Sequence, residues 1–220
     1  MDTKEAIKLR HSVRKYTTKP IQGETLKHLL DEIKVCVYES GLNIRLIKDE
    51  PKAFGGFIPG YGIFKNVKNY IALAAKKQGD FYVKCGYCGA RLMVKAQQAG
   101  LNSCWVTNTY NAKKCPVTLA PDEELVGVIA IGYGTTDGTQ HKSKSMERLC
   151  KPCSDKWFLD GMNAAVLAPT GLNRQDFFIE ANGNTVSIRT KDNHPMSQIN
   201  TGIVKYHFEI GAGRENFNWE

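Results

Sequence analysis

Two short apolar runs, residues 70–75 and 125–131, constrain this chain more than any other feature. Both fall well short of the roughly 18 apolar residues of a membrane span, and both are bounded by turn-forming residues, so they read as buried strands. Helical patterns surround them. Leu26, Leu29, Leu30 and Ile33 recur at helical spacing after Pro20. Residues 87–99 place Gly89, Leu92, Met93, Ala96 and Ala99 on one close-packed face and stop at Gly100, a natural left-handed cap. Further strands are expected over 42–48 and 103–106, and a glycine-rich loop, Gly55-Gly56-Phe57-Ile58-Pro59-Gly60-Tyr61-Gly62, precedes the 70–75 strand. Residues 134–144 are polar and unpatterned, the best linker candidate. Beyond it, Trp157, Phe158, Met162, Ala165 and Val166 mark a helix, and Asn182-Gly183 between 177–180 and 185–190 signals a hairpin. A last helix carries Ile199, Ile203, Tyr206 and Ile210 and ends in Gly211-Ala212-Gly213.

The N-terminal segment holds the most specific chemistry. A short amphipathic stretch, residues 2–9, opens with Asp2 and Glu5 in a capping arrangement. Arg10-His11-Ser12-Val13-Arg14-Lys15 follows. Two guanidiniums and a hydroxyl at every second residue form a donor set matched to a phosphate, which Arg binds bidentately. On spacing alone, a basic, solvated helix end accounts for the same residues.

The net charge of +8 admits anionic partners. The basic residues are nevertheless spread along the chain, without interleaved stacking aromatics, so nucleic acid is not expected. The N-terminus lacks the apolar segment of a secretory signal, and the expected location is the cytoplasm. Two of the seven cysteines' pairings, Cys85-Gly86-Tyr87-Cys88 and Cys150-Lys151-Pro152-Cys153, have the local spacing of zinc knuckles. The stretch between them is far longer than the roughly 15–20 residues of common zinc modules, so buried or reactive thiols are the simpler reading. Gly132-Tyr133-Gly134 follows a strand but lacks the third glycine spacing of a dinucleotide fingerprint, since Gly138 lies one residue too far. A faint internal echo pairs Ser40-Gly41-Leu42-Asn43 with Thr170-Gly171-Leu172-Asn173, and Gly89/Gly100 with Gly202/Gly213.

Three segments together carry a family resemblance. Arg10-His11-Ser12-Val13-Arg14-Lys15-Tyr16 with Lys19-Pro20-Ile21 resembles the N-terminal motif of the FMN-dependent nitroreductase and flavin reductase family. Ala168-Pro169-Thr170-Gly171-Leu172-Asn173-Arg174-Gln175 is similar to that family's flavin-contacting loop. Gly100-Leu101-Asn102-Ser103-Cys104-Trp105-Val106, and later Ile131-Gly132-Tyr133, resemble its central helix exit and late strand. One departure is informative: the family's loop usually comes soon after the arginines, whereas Glu39-Ser40-Gly41-Leu42-Asn43 lacks the proline there.

The resemblance implies an α+β, nitroreductase-like fold with mixed central β-sheets flanked by helices. It also implies a pseudo-dimer of two related halves, 1–138 with the phosphate-binding arginines and 139–220 with the flavin-ring loop. Such a chain would be an FMN-dependent NAD(P)H oxidoreductase reducing nitro compounds, quinones or a similar small-molecule acceptor. It would hold one FMN and act as a monomeric pseudo-dimer or a homodimer, with neither nucleic-acid nor membrane partners. Carried over by residue, the cofactor site would comprise Arg10, His11, Ser12 and Arg14 at the phosphate, Lys142 and Lys144 as additional basic contacts, and Ala168, Pro169, Thr170 and Asn173 at the ring. Hydride chemistry belongs to such a cofactor, so no catalytic acid, base or nucleophile need be visible. A non-catalytic flavin-binding protein is the rival reading, and a cysteine-metal protein the third.

Overall fold

Helix α1, Thr3–Leu9, begins where the capping pattern places it: the Glu5 amide donates to Asp2 Oδ1 at 2.8 Å. Loss of that cap in Asp2→Ala is expected to lower stability by about 1 kcal/mol, read as a shift in the urea midpoint at unchanged slope. The computed structural model describes residues 1–55 and 64–220, so most of the glycine-rich loop at 55–62 lies outside the described residues. The chain divides into two compact units. One comprises Leu9–Phe81 and Leu92–Gln140; the other comprises Met1–Lys8, Tyr82–Arg91 and His141–Glu220.

The first of these contains α2, Gly23–Ser40, and the strands β1, Asn43–Ile47, β2, Asn69–Lys76, β3, Asn102–Val106, and β4, Glu123–Gly132. They form a four-stranded sheet in the order β1-β2-β4-β3, antiparallel at every pairing. The two apolar runs are its central strands, buried along nearly their whole length. Helix α2 ends at Gly41, whose φ of +70° lets its amide return to Val37 O at 2.9 Å. Val13, Tyr16, Phe54, Tyr70, Val106 and Val128 are among the side chains that fill the core of this unit.

Helix α3, Phe81–Gln98, starts six residues ahead of the sequence expectation of 87. The Cys85-Gly86 stretch, just ahead of the expected start, lies within the helix. Its first part belongs to the second unit, with α4, Lys156–Ala165, and α5, Pro195–Ala212. Glycines allow these helices to meet backbone to backbone. A Cβ on Gly86 would strike the Ile199 carbonyl, and one on Gly202 would strike the Val83 carbonyl. Gly211 does the same between α5 and α4, facing the Asp160 carbonyl, while Gly161 makes room for the Phe208 ring.

A second sheet, order β5-β6-β7, is built from Phe177–Asn182, Thr185–Thr190 and Asn218–Trp219. Its pairing is mixed: β5 and β6 are antiparallel, β6 and β7 parallel. The hairpin forms as expected, one residue displaced. Asn182 pairs with Thr185, so Gly183 and Asn184 make the turn, with Gly183 at φ +57°. Glycine takes the first central position because it alone enters that conformation without strain. Trp157 stacks on Phe217 at 5.7 Å, and Phe158, Phe208 and Trp219 complete an aromatic core for this unit. No described helix is long and apolar enough to cross a membrane.

Candidate functional site

Beyond α1 the chain becomes extended, and residues 12–17 are pinned by backbone hydrogen bonds. The Val13 amide donates to Ser103 O at 3.1 Å, Tyr16 to Lys65 O at 3.0 Å, and Thr17 to Tyr133 O at 2.8 Å. Lys65 and Thr135 return amides to Arg14 O and Lys15 O. The Tyr16 hydroxyl, buried, donates toward Val13 O and Ala130 O. Glycines at the end of β4 and beyond it make room for this segment. A Cβ on Gly132 would lie 2.9 Å from the Tyr16 ring, and one on Gly138, itself at φ +76°, would lie 2.9 Å from His11 Cβ. The Gly132-Tyr133-Gly134 run is thus a packing surface for the basic segment.

This pinning settles the two readings of the N-terminal donors in one respect: Arg10 is not a solvated helix end. It is only 3 % exposed, and among the described residues neither Nε nor Nη1 has a hydrogen-bond partner. Arg14 Nε and the hydroxyl of Ser103 are buried and unpartnered as well. Burial lowers the Arg10 guanidinium to about 10, with nearby Cys104 opposing. The same burial raises the Cys104 thiol, against the charges of Arg14 and Arg10 and a hydrogen bond with Ser12. Arg10, Ser12 and Arg14 therefore gather around the start of β3 at Ser103 and Cys104. A buried cation normally has a paired acid, because desolvating an isolated charge is costly. Among the described residues, no carboxylate is one of the groups acting on Arg10. An anion with several acceptor oxygens would satisfy these donors, and a phosphate monoester fits.

The second set of expected residues lies in the other unit, in a loop following α4. Ala168 is fully buried, and its amide donates to Ala165 O at 3.1 Å. Thr170 organises the turn: its Oγ1 accepts from the Gln175 amide at 3.0 Å, and its carbonyl accepts from Asn173 N at 2.9 Å. Gly171 N donates to Asn200 Oδ1 of α5 at 3.0 Å. Three side-chain-bearing residues adopt positive φ, Leu172 at +56°, Asn173 at +54° and Gln175 at +46°. Such conformations are costly for non-glycine residues and persist where the surroundings enforce them. Asn173 Nδ2 donates to Lys142 O at 2.9 Å, which fixes the amide and leaves Oδ1 as its outward acceptor. The Lys144 ammonium is engaged within the loop, 3.1 Å from both Gln175 O and Asp176 Oδ1. A phosphate contact by Lys144 would require it to leave Asp176.

Sequence reasoning passed over Ser103, Cys104 and Gln175 as site residues. Gln175 is the pin of the loop, 1 % exposed, donating to Val166 O and accepting from the Lys144 amide. Its position at the end of the quoted Asn173-Arg174-Gln175 run was the available signal. The cysteine pairs show no metal geometry: among the described residues no three His, Cys, Asp or Glu side chains could hold an ion together.

These two sheets with their glycine-packed helices are the α+β fold of the nitroreductases. Residues 2–212 match the protein family described as "Putative TM nitroreductase", and the chain belongs to that family. A crystal structure from Thermotoga maritima MSB8, described as a putative nitroreductase, superposes with a TM-score of 0.66 at 22% identity, covering 98% of this chain and 85% of that one. A structure from Desulfovibrio desulfuricans, described as "a putative nitroreductase in complex with fmn", gives a TM-score of 0.57 at 17% identity, covering 70% and 99%. One from Parabacteroides distasonis, described as "Putative NADH dehydrogenase/NAD(P)H nitroreductase", gives 0.54 at 17%, covering 68% and 97%. No curated protein matches the chain.

Proposed function

We propose that the chain is an FMN-dependent oxidoreductase that takes electrons from NAD(P)H and reduces a nitro compound, a quinone or a similar small acceptor. The observation that carries this reading is the buried, acid-free guanidinium of Arg10 with its unpartnered donors. FMN, when bound, supplies the hydride chemistry. The chain's own residues bind and orient it. Arg10 and Arg14 neutralise the phosphate, and Ser12 and Ser103 present hydroxyls to its oxygens. The 168–175 loop is taken, on its own account, as a ring-contacting element of the family's kind, through the Asn173 amide fixed at Lys142 O. His11 and Ala168 shape these two segments through packing. Lys142 and Lys144 are the weaker members of the set, Lys144 because Asp176 already holds it. The half-repeat reading is supported by α3 and α5, each of 18 residues and each followed by a glycine at positive φ, Gly100 and Gly213.

The visible spectrum of the purified protein, reconstituted with FMN under anaerobic conditions, tests the proposal. Flavin bands that bleach on adding NADH or NADPH and return on adding a quinone or nitroaromatic are expected. Bands that persist with either nucleotide would favour the non-catalytic flavin binder, and a failure to retain flavin would overturn the proposal.

A further inference from the structure

We propose that Cys150 and Cys153 form a reversible dithiol–disulfide site whose oxidant is a small-molecule disulfide of the glutathione type. The chain contains two Cys-x-x-Cys pairs, and the fold treats them differently. Cys85 and Cys88 lie inside α3 and are both buried, so neither thiol meets a reagent from solvent. Cys150 and Cys153 lie in the irregular segment ahead of α4. Their exposures are unequal: Cys150 is buried, whereas Cys153 reaches solvent. That asymmetry is what a two-step exchange needs, one thiol to meet the oxidant and one sheltered thiol to resolve the mixed disulfide.

Local contacts hold the pair in place. Cys150 bridges to Ile179 of β5, with the Lys151 amide donating to Ile179 O at 3.1 Å and Ile179 N donating to Leu149 O at 2.9 Å. The Cys150 thiol donates to Met146 O at 3.4 Å. Pro152 stiffens the return toward Cys153, whose thiol faces Asp155 Oδ2 at 3.7 Å. The two sulfurs lie near enough to sense each other: burial raises the Cys150 thiol, and the charge of Cys153, then of Glu147, raises it further. Cys150 is accordingly a poor first nucleophile.

The exchange balances. The Cys153 thiolate attacks one sulfur of the oxidant, forming a mixed disulfide as the oxidant's S–S bond breaks and one thiolate leaves. The Cys150 thiolate then attacks the Cys153 sulfur, the Cys150–Cys153 bond forms, and the second thiolate leaves. The two cysteine protons end on the two departing thiols. The protein loses two electrons and the oxidant gains them, and excess reduced thiol reverses both steps.

The test incubates the native full chain in buffers of increasing oxidised to reduced glutathione ratio. The reaction is quenched with acid, and remaining thiols are alkylated after unfolding. Trypsin does not cut between Lys151 and Pro152, so both thiols stay on the peptide of residues 149–156. That peptide is expected two hydrogens lighter and unalkylated, while the peptide of residues 85–91 with Cys85 and Cys88 stays fully alkylated. Cys150→Ser should trap glutathione on Cys153, and Cys153→Ser should leave Cys150 unmodified. A 149–156 peptide that stays alkylated where a reference dithiol is oxidised, equal oxidation of both pairs, or modification of Cys150 in Cys153→Ser would each overturn the proposal.

Discussion

Arg10→Met is expected to weaken FMN binding by about one to two decades while making the apoprotein more stable. The two effects share one cause. In the free protein the guanidinium is buried at 3 % exposure with Nε and Nη1 unpartnered, and burial lowers it to about 10 from 12.5. A cation whose folded value lies below its unfolded value opposes folding at neutral pH, here by about 3 kcal/mol at 1.36 kcal/mol per unit. That opposition fades only as the pH rises through about 10. Met keeps the length of the side chain and removes the buried charge, so the urea midpoint of the apoprotein should rise. Losing a charge-assisted contact to phosphate removes roughly 1.5–3 kcal/mol of binding, hence the weaker FMN affinity. Fluorescence titration and urea melts on the same preparation check both signs. A variant less stable than the parent that binds FMN as well would make Arg10 part of the framework.

Gly202→Ala should cause the largest loss of stability available from a single methyl group. The new Cβ would fall on the Val83 carbonyl and lie 2.6 Å from Tyr87 N, both backbone atoms of α3 that no rotamer change can move. The helices must separate, and the cost is expected to reach about 3 kcal/mol or more. Gly183→Ala is the contrast: nothing lies within 4 Å of its Cβ, so only its φ of +57° opposes the substitution, at about 1 kcal/mol. A thermal melt of the two variants side by side measures the difference. Equal, small shifts would mean that α3 and α5 do not pack through their glycines.

Much of this was legible because the signals were local. The central strands β2 and β4 followed from uninterrupted apolar runs, and α2 from its leucine spacing. The Gly100 and Gly213 exits followed from the cost of positive φ in other residues. What escaped detection depended on partners distant in sequence. The six extra residues of α3 are helical because Gly86 packs on the Ile199 backbone, a contact invisible from either segment alone. The hairpin turned one residue later than Asn182-Gly183 suggested because β5 continues its pairing through Asn182. For the candidate site, the Arg10-x-Ser12-x-Arg14 pattern suited an anion or a solvated helix end equally, and the burial of Arg10 is a tertiary feature that the local sequence does not carry. Ser103 and Cys104, part of the quoted 100–106 run, join the candidate site because β3 receives the N-terminal segment at Ser12. Lys144 looked like a free cation, and only the fold brings Asp176 to it.

Comparing FMN with riboflavin as ligands of the apoprotein isolates the phosphate and tests the central claim most directly. The two share the ring and ribityl chain, so the ratio of their dissociation constants reads the contacts to the phosphate. The parent chain should prefer FMN by at least one decade, roughly 1.5–3 kcal/mol, and Arg10→Met should bring the two ligands close together. Riboflavin binding as tightly as FMN to the parent chain would contradict the account.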